Sequence, residues 1–354
     1  ISQLSNSIPE LKDSEHLFFK LNSLKEEILQ WLKASDIQEA VINKLDEWLS
    51  GDLKQWDISR DAPYFGFEIP GYPNKYFYVW LDAPIGYLAS TENYLSKNKT
   101  STTLDEIWGT DSEFEIIHFV GKDVMYFHTL FWPAVLHAGN FKKPNAVYVH
   151  GFLTVNGEKM SKSRGTFILA KTYLDYFKPE YLRYFFASKL SDGVEDIDMN
   201  LEDFKQRVNS DLVGKYINIA SRSAKFINQN FKNQLSKKLN NPNIIEDFLL
   251  EKESIESLFE RRSFSKATKK IMMLADQANQ YFDQMQPWVI AKKEPKAQEV
   301  QEICTTTLNL FRILSIYLNP ILPEITKSAF KFLNLNNSKW EDISTNLVST
   351  EINK

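Results

Sequence analysis

Residues 115–134 read E-I-I-H-F-V-G-K-D-V-M-Y-F-H-T-L-F-W-P-A, and this stretch decides the fold class. Glu115 to Val120 is a run of branched and aromatic residues, the composition of a buried strand. Gly121, Lys122 and Asp123 break it, and from Val124 to His137 apolar residues recur at helical spacing. A strand, a tight turn and a helix in direct succession form the repeating unit of an α/β sheet, whose ligands sit at the carboxyl ends of its strands. Working outward, Lys75 to Asp82, K-Y-F-Y-V-W-L-D, is too continuous to have one wet face and predicts a second buried, parallel strand. Ala83 to Tyr87, A-P-I-G-Y, ends that strand and feeds a helix, and Ala146 to His150 predicts a third strand. Two strand-turn-helix units and a further strand predict half of a nucleotide-binding sheet.

Before this core, helices are expected at Ser23 to Lys33 and Asp36 to Leu49, and W-D-I-S-R-D-A-P-Y-F-G-F-E-I-P (56–70) turns extended. After it, V-N-G-E-K-M-S-K-S-R-G-T (155–166) reads as a flexible loop, with glycines bracketing two lysines and several hydroxyls. Leu169 to Phe177 and Pro179 to Lys189 are short helices, with Pro179 in a first turn. Ser191 to Asn200 is acidic and turn-like. Glu202 starts a long amphipathic helix running to about Phe231, and helices follow over Ile244 to Glu260, Phe264 to Gln284, Val300 to Leu318 and Pro323 to Leu333. Breaks fall at Asn240 to Pro242 and at Glu294 to Pro295. The fold class expected is thus α/β plus all-α, an open sheet followed by an antiparallel helix bundle.

A chain of 354 residues is long for one compact domain, and 43% hydrophobic with 25% charged residues is ordinary for a soluble one. The net charge of -4 argues against indiscriminate nucleic-acid binding but leaves room for a local basic face. One cysteine, Cys304, rules out an internal disulfide and a Cys-rich zinc site within this sequence and fits a reducing cytoplasm. No apolar run approaches membrane-spanning length.

Several residues invite both a structural and a chemical reading. Arg60 sits in an apolar stretch and is either half of an ion pair or an anion ligand. Val124, His128 and Trp132 are four apart and share one helix face, on which the imidazole is either a satisfied core group or the polar end of a recess. Such a recess, walled by Trp80, Tyr87 and Trp132, suits a thioether, because sulfur packs against aromatic edges. Lys159, Ser161 and Lys162 are phosphate ligands or a solvated loop. Asn218 and Arg222 lie one turn apart, and Trp288 follows Pro287 at a helix break. An amide, a guanidinium and an exposed indole are what reading an unstacked RNA base requires, though helix-surface Asn/Arg pairs are commonplace. Basic residues at 261, 262, 266, 269, 270, 292 and 293 would supply phosphate contacts.

The string K-M-S-K-S (159–163) resembles the signature loop of the class I aminoacyl-tRNA synthetases, and with G-F-L-T-V-N-G before it the chain resembles the methionyl-tRNA synthetase family. The likeness extends through D-S-E-H-L-F-F (13–19), residues 56–70, Y-F-Y-V-W-L-D-A-P-I-G-Y (76–87), residues 118–134, I-N-I-A-S-R (217–222) and Q-P-W-V-I-A-K (286–292). It implies a methionine pocket of Trp80, Ala83, Pro84, Tyr87, Val124, His128 and Trp132, an ATP site of Gly121, Asp123, Lys159, Ser161 and Lys162, and catalytic roles for Lys162, Lys159 and Arg60. It further implies CAU-anticodon contacts at Asn218, Arg222 and Trp288, with ATP-Mg²⁺, methionine and tRNA(Met), including the initiator, as cofactor and partners. The division implied is 1–55, the remainder of a catalytic-domain insertion; 56–150, the second half of a Rossmann-type catalytic domain; 151–215, a stem-contact region; and 216–354, a helical anticodon-binding domain.

The family's His-Ile-Gly-His signature and its zinc-knuckle cysteines are absent from the sequence, so the chain reads as a C-terminal fragment, with zinc expected only in the missing N-terminal part. As such it is expected to be monomeric and unable to activate methionine alone. A competing reading is a tRNA-binding protein derived from a synthetase without catalysis, and another is a synthetase for leucine, isoleucine or valine. The second would need a branched aliphatic pocket, which His128 among aromatics does not provide.

Overall fold

The computed structural model describes residues 8, 11, 13–51, 53–160, 168–336 and 338–353. Contacts divide the chain into two compact units, Ile1–Gly151 and Phe152–Lys354.

In the first unit β1 (Phe18–Phe19) precedes α1 (Lys25–Ala34), whose Glu26 and Glu27 lie in the first turn and Lys33 in the last, matching the helix dipole at both ends. The two residues of β2 (Asp36–Ile37) interrupt the helix expected from Asp36, and α2 (Glu39–Leu49) starts only after Gln38. Gln38 has extended backbone, its side chain exchanges two hydrogen bonds with the main chain of Val149, and the strand wins over helical periodicity there. Next come β3 (Trp56–Asp57), antiparallel to β1, and β4 (Ser59–Asp61), antiparallel to β5 (Lys75–Phe77).

The buried parallel strand expected over Lys75 to Asp82 does not form. Three residues pair with β4, and a one-turn helix, α3 (Val79–Asp82), takes over. The physical reason is spacing: Trp80, Pro84 and Leu88 are four apart, so helical winding puts them on one side, and Pro84 and Leu88 are buried. The chain continues into α4 (Gly86–Asn98) and α5 (Leu104–Trp108), the latter opened by a capping box between Thr103 and Glu106.

The sheet of this unit therefore contains β2 where the sequence suggested residues 75–82. Its order is β2, β7 (Ala146–His150), β6 (Ile117–Gly121), all parallel, with Ile117 opposite Ala146 and Gly121 opposite His150. Within β6, His118 and Val120 face the core, whereas Ile117 and Phe119 are 44% and 67% exposed, so this strand does have an open face. Between β6 and β7 the expected helix is present with a π-helical turn, Phe127–Phe131, ahead of α6 (Trp132–Ala138). Pro133 has no N–H to give its preceding turn, consistent with widened winding just before it.

The second unit opens on β8 (Leu153–Val155) and β9 (Glu158–Lys159), an antiparallel hairpin turned by Asn156 and Gly157, both at positive φ (50° and 80°). Asn-Gly is the preferred pair for such a turn, so the first part of the expected loop is strand, a signal present in the sequence. Then follow α7 (Ala170–Tyr176), α8 (Pro179–Lys189) and β10 (Ile197–Met199), which pairs parallel with β8. The stretch Ser191 to Asn200, expected as turn only, thus ends in a strand. Asp198 is spent on the hairpin, accepting from the Gly157 N–H and the Thr154 hydroxyl at 2.7 Å each.

The remainder is helical: α9 (Leu201–Arg207), a π-helical segment Val208–Ile217, α10 (Asn218–Asn230), α11 (Pro242–Leu250), α12 (Lys252–Glu260), α13 (Phe264–Met285), α14 (Pro287–Lys293), α15 (Gln298–Leu318) and α16 (Pro323–Phe332). Prolines open α8, α11, α14 and α16, where a missing N–H costs nothing. From Ile303 to Leu318 every residue of α15 is buried, so this helix is the axis of the bundle. Its polar members are largely engaged: Arg312 donates through its two terminal nitrogens to the carbonyls of Asp342 (3.0 Å) and Ile343 (2.6 Å), leaving its buried Nε without a partner among the described residues, and Asn309 bonds Leu347 in both directions. Cys304 is fully buried on the same helix, and burial pushes its thiol up to about 12. Glu180, in the first turn of α8, accepts from the N–H groups of Glu324 (2.6 Å) and Ile325 (2.7 Å) and so caps α16 from outside.

Candidate functional site

Burial in the first unit creates an aromatic and imidazole cluster. His128 lies on the π-helical turn and is 3% exposed; its Nδ1–H donates to the Val124 carbonyl at 3.0 Å. That bond fixes the tautomer, leaving Nε2 to accept from the Tyr87 hydroxyl at 2.8 Å. Burial holds the imidazole below its ordinary pKa, and the Val124 carbonyl partly offsets this. Tyr87, displayed by α4, also faces Trp132 at 6.2 Å between ring centres. Tyr87, His128 and Trp132 thus come together as the sequence led one to expect.

Trp80 does not join them directly. It stacks on Phe127 at 4.5 Å and 18°, on a second aromatic group that includes Phe131 and Trp56. Pro84 is buried, Val124 half-buried and Ala83 exposed.

Sequence reasoning missed His118. It is 7% exposed, its Nε2 accepts from the Trp132 indole N–H at 3.3 Å, and its ring stands 4.8 Å from Tyr87 and 5.4 Å from His128. Burial, and then the neighbouring His128, push it down to about 4. Both imidazoles are therefore neutral near pH 7, and the cluster presents polarisable rings without net charge. The signal was the alternation of strand β6, but which face turned inward depends on its partner.

At the carboxyl end of β6, the Asp123 side chain approaches the Gly121 backbone closely: a Cβ there would stand 2.5 Å from Asp123 Oδ1. The Asp123 carboxylate is exposed and folds back over the strand end, a position suited to accepting from hydroxyls. Arg60, on β4, is half of an ion pair with Asp57 (3.0 Å), lies 3.9 Å over the Tyr78 ring and keeps about a third of its side chain exposed.

In the second unit Lys159 ends β9, exposed, with its ammonium 5.0 Å from the Phe152 ring centre. Ser161 and Lys162 lie outside the described residues. On the bundle, Asn218 and Arg222 begin α10 and stand against α13. The Asn218 amide donates to Asn279 at 3.3 Å, and Arg222 is ion-paired to Asp283. The Arg222 guanidinium lies 4.6 Å over Phe282 and 5.6 Å from Trp288, so Arg222 and Trp288 are in contact. Gln286, at positive φ of 44°, ends α13 and turns the chain so that Trp288 returns to that helix. Asn279 and Asp283 hold these side chains and were not singled out from sequence.

Among the described residues, no group of three or more His, Cys, Asp or Glu side chains is placed to hold a metal ion, and no helix is long and apolar enough to cross a membrane. A mostly apolar cavity of about 640 Å³ between α8, α10, α15 and α16 belongs to the second unit and gathers none of these residues.

Comparison with known proteins fits this geometry. The family model described as tRNA synthetases class I (M) matches residues 1–224, and that of the anticodon binding domain of methionyl tRNA ligase matches residues 236–352. Mycobacterium tuberculosis methionyl-tRNA synthetase in complex with methionyl-adenylate superposes with a TM-score of 0.84 at 25% identity, over 99% of this chain and 69% of that one. A second structure of that enzyme with methionyl-adenylate gives 0.83 at 25% identity over 95% and 67%, and its free state gives 0.80 at 23% over the same shares. With matches to both parts in the expected order, the chain belongs to the class I tRNA synthetases of the M family, the methionyl-tRNA synthetases.

Proposed function

We propose that the chain serves ATP-dependent ligation of methionine to tRNA(Met), the initiator included, in the cytoplasm. The observation that carries this reading is the neutral cluster of Tyr87, His118, His128 and Trp132 in a chain of this family: polarisable rings with no formal charge favour a thioether over a charged side chain. In this reading Trp80, Ala83, Pro84 and Val124 complete the methionine pocket. Gly121 and Asp123 receive the adenosine ribose, and Lys159, Ser161 and Lys162 bind the ATP phosphates. Arg60 assists at the aminoacyl end, and Asn218, Arg222 and Trp288 read the CAU anticodon. The four-part division at residues 55, 150 and 215 follows from the same resemblance.

In the first step a methionine carboxylate oxygen bonds to the α-phosphorus of ATP as the bond to pyrophosphate breaks. The protein's contribution is position and positive charge, so lysines suffice and no protein nucleophile is needed. In the second step a terminal ribose hydroxyl of tRNA attacks the carbonyl carbon and AMP leaves. ATP would arrive with Mg²⁺, whose charge would offset part of that of its phosphates.

No His-Ile-Gly-His string occurs in these 354 residues, and on that ground we propose that they do not form adenylate unaided. Methionine-dependent ATP–pyrophosphate exchange by residues 1–354 would overturn this part. The tRNA reading is tested separately, by titrating labelled CAU-anticodon tRNA against wild type, Arg222→Ala and Trp288→Ala. Each substitution is expected to weaken binding about tenfold or more, in line with 1–3 kcal/mol per stacked base. Equal affinity for tRNAs with and without the CAU anticodon would leave only a general RNA-binding protein.

A further inference from the structure

A second feature of the bundle lies beside the base-reading residues. The helical stretch running from Val208–Ile217 into α10 is joined to α13 by three side-chain contacts, each between residues sixty-one apart: Lys215 with Asp276 at 2.8 Å, Asn218 with Asn279 at 3.3 Å, and Arg222 with Asp283. This ladder leads from Arg222 back to a cleft of about 500 Å³, whose lining includes Arg207, Lys215, Lys266 and Lys269 against the carboxylates of Asp211 and Asp276.

The charges in this cleft are not equally engaged. Lys215 is held by Asp276 and lies 4.0 Å from Asp211, which also accepts from the Tyr184 hydroxyl. Arg207 pairs with Asp203 through Nε. Lys266 and Lys269 are exposed, lie one turn apart on α13, and have no carboxylate partner among the described residues. Farther along the same face stands Met273, 55% exposed, an apolar surface between these lysines and Asn279. Two unpaired ammonium groups followed by an exposed thioether, in line with an amide and a stacked guanidinium, match a strand of RNA: phosphates, then a sugar face, then bases. From Lys269 to Asp283, the partner of Arg222, is roughly 21 Å along α13, a span that a few nucleotides bridge.

We propose that this cleft is a phosphodiester-binding site for the tRNA strand whose anticodon Asn218, Arg222 and Trp288 read, with Lys266 and Lys269 as its main contacts. This rests on the tRNA reading above but is separable from it, because phosphate contacts change salt dependence without changing base preference.

The test compares wild type, K266Q/K269Q, K266R/K269R and K327Q/K331Q, the last an equal charge loss on α16. Each is titrated with CAU-anticodon tRNA and with a tRNA altered in the first anticodon base, over a series of salt concentrations. K266Q/K269Q is expected to weaken both tRNAs by the same factor, about tenfold, and to lower the slope of log K against log salt by about 1.4–1.8, the value for two phosphates. The arginine pair is expected to keep the wild-type slope, and the α16 pair to change it little. A K266Q/K269Q slope equal to wild type, or an equal loss in the α16 pair, would overturn the cleft. Loss of anticodon preference in wild type would overturn base reading alone, and absence of any tRNA binding would overturn both.

Discussion

His118 sets the protonation behaviour of the candidate methionine cluster. Its imidazole is held down to about 4 by burial, against 6.5 for an unburied one. Between these values the unfolded chain binds a proton that the folded chain refuses. The stability tied to this site is therefore complete above pH 6.5 and drains away as the pH falls toward 4, by up to roughly 3 kcal/mol. Urea midpoints measured across that range should fall more steeply for wild type than for His118→Gln; parallel slopes would refute this. Gly121 makes a different prediction. In Gly121→Ala the new methyl displaces the short, exposed Asp123 side chain more readily than the backbone, so the melting temperature should change little. Nucleotide affinity should fall about tenfold, about 1.4 kcal/mol, as it should for Asp123→Ala. The double variant should lose no more than either single one, because both act on one carboxylate. Four-residue spacing made His128 and Trp132 legible in the sequence. His118 was not, because a strand histidine between Ile117 and Phe119 reads as the outward residue until the pairing with β7 turns it inward.

Elements with sustained periodicity were legible: of the five helices expected in the bundle, those starting at Glu202, Phe264, Val300 and Pro323 fell close to their expected bounds because apolar residues recur over many turns, whereas the one expected over Ile244 to Glu260 is divided at Glu251 into α11 and α12. Short elements depended on partners that sequence does not display. Residues 75–82 are aromatic enough for a strand, yet only three of them find one, and Trp80, Pro84 and Leu88 wind the rest into a helix. β10 lies in a stretch expected to be acidic and turn-like, in which Asp198 holds the Asn156–Gly157 turn next to Lys159. Those two hydrogen bonds keep its carboxyl below the usual range. Asp198→Ala should therefore loosen the hairpin locally, seen as faster amide exchange at Gly157 with an unchanged bundle melt. For α15 the expectation is larger: Leu314 is wholly enclosed, and Leu314→Ala should cost about 2–5 kcal/mol by denaturant titration.

At the scale of the whole molecule, each of the two units encloses its own core, and calorimetry should resolve two heat-absorption peaks, of which Leu314→Ala moves only one. A single peak shifted as a whole would show the units melting as one. The sequence carried the broad division into sheet and bundle, because alternating strand and helix signals give way to helices alone after Met199. It did not reveal that the hairpin bearing Lys159 shares a unit with the bundle, since contact density is set by packing rather than by local pattern. The buried thiol on α15 offers a practical return. Cys304 is the sole cysteine, wholly enclosed and difficult to ionise, so an alkylating reagent reacts there only when the surrounding helices part. The wild-type chain thus carries its own clock for bundle opening, readable by mass spectrometry without an engineered probe, and bound RNA should slow it.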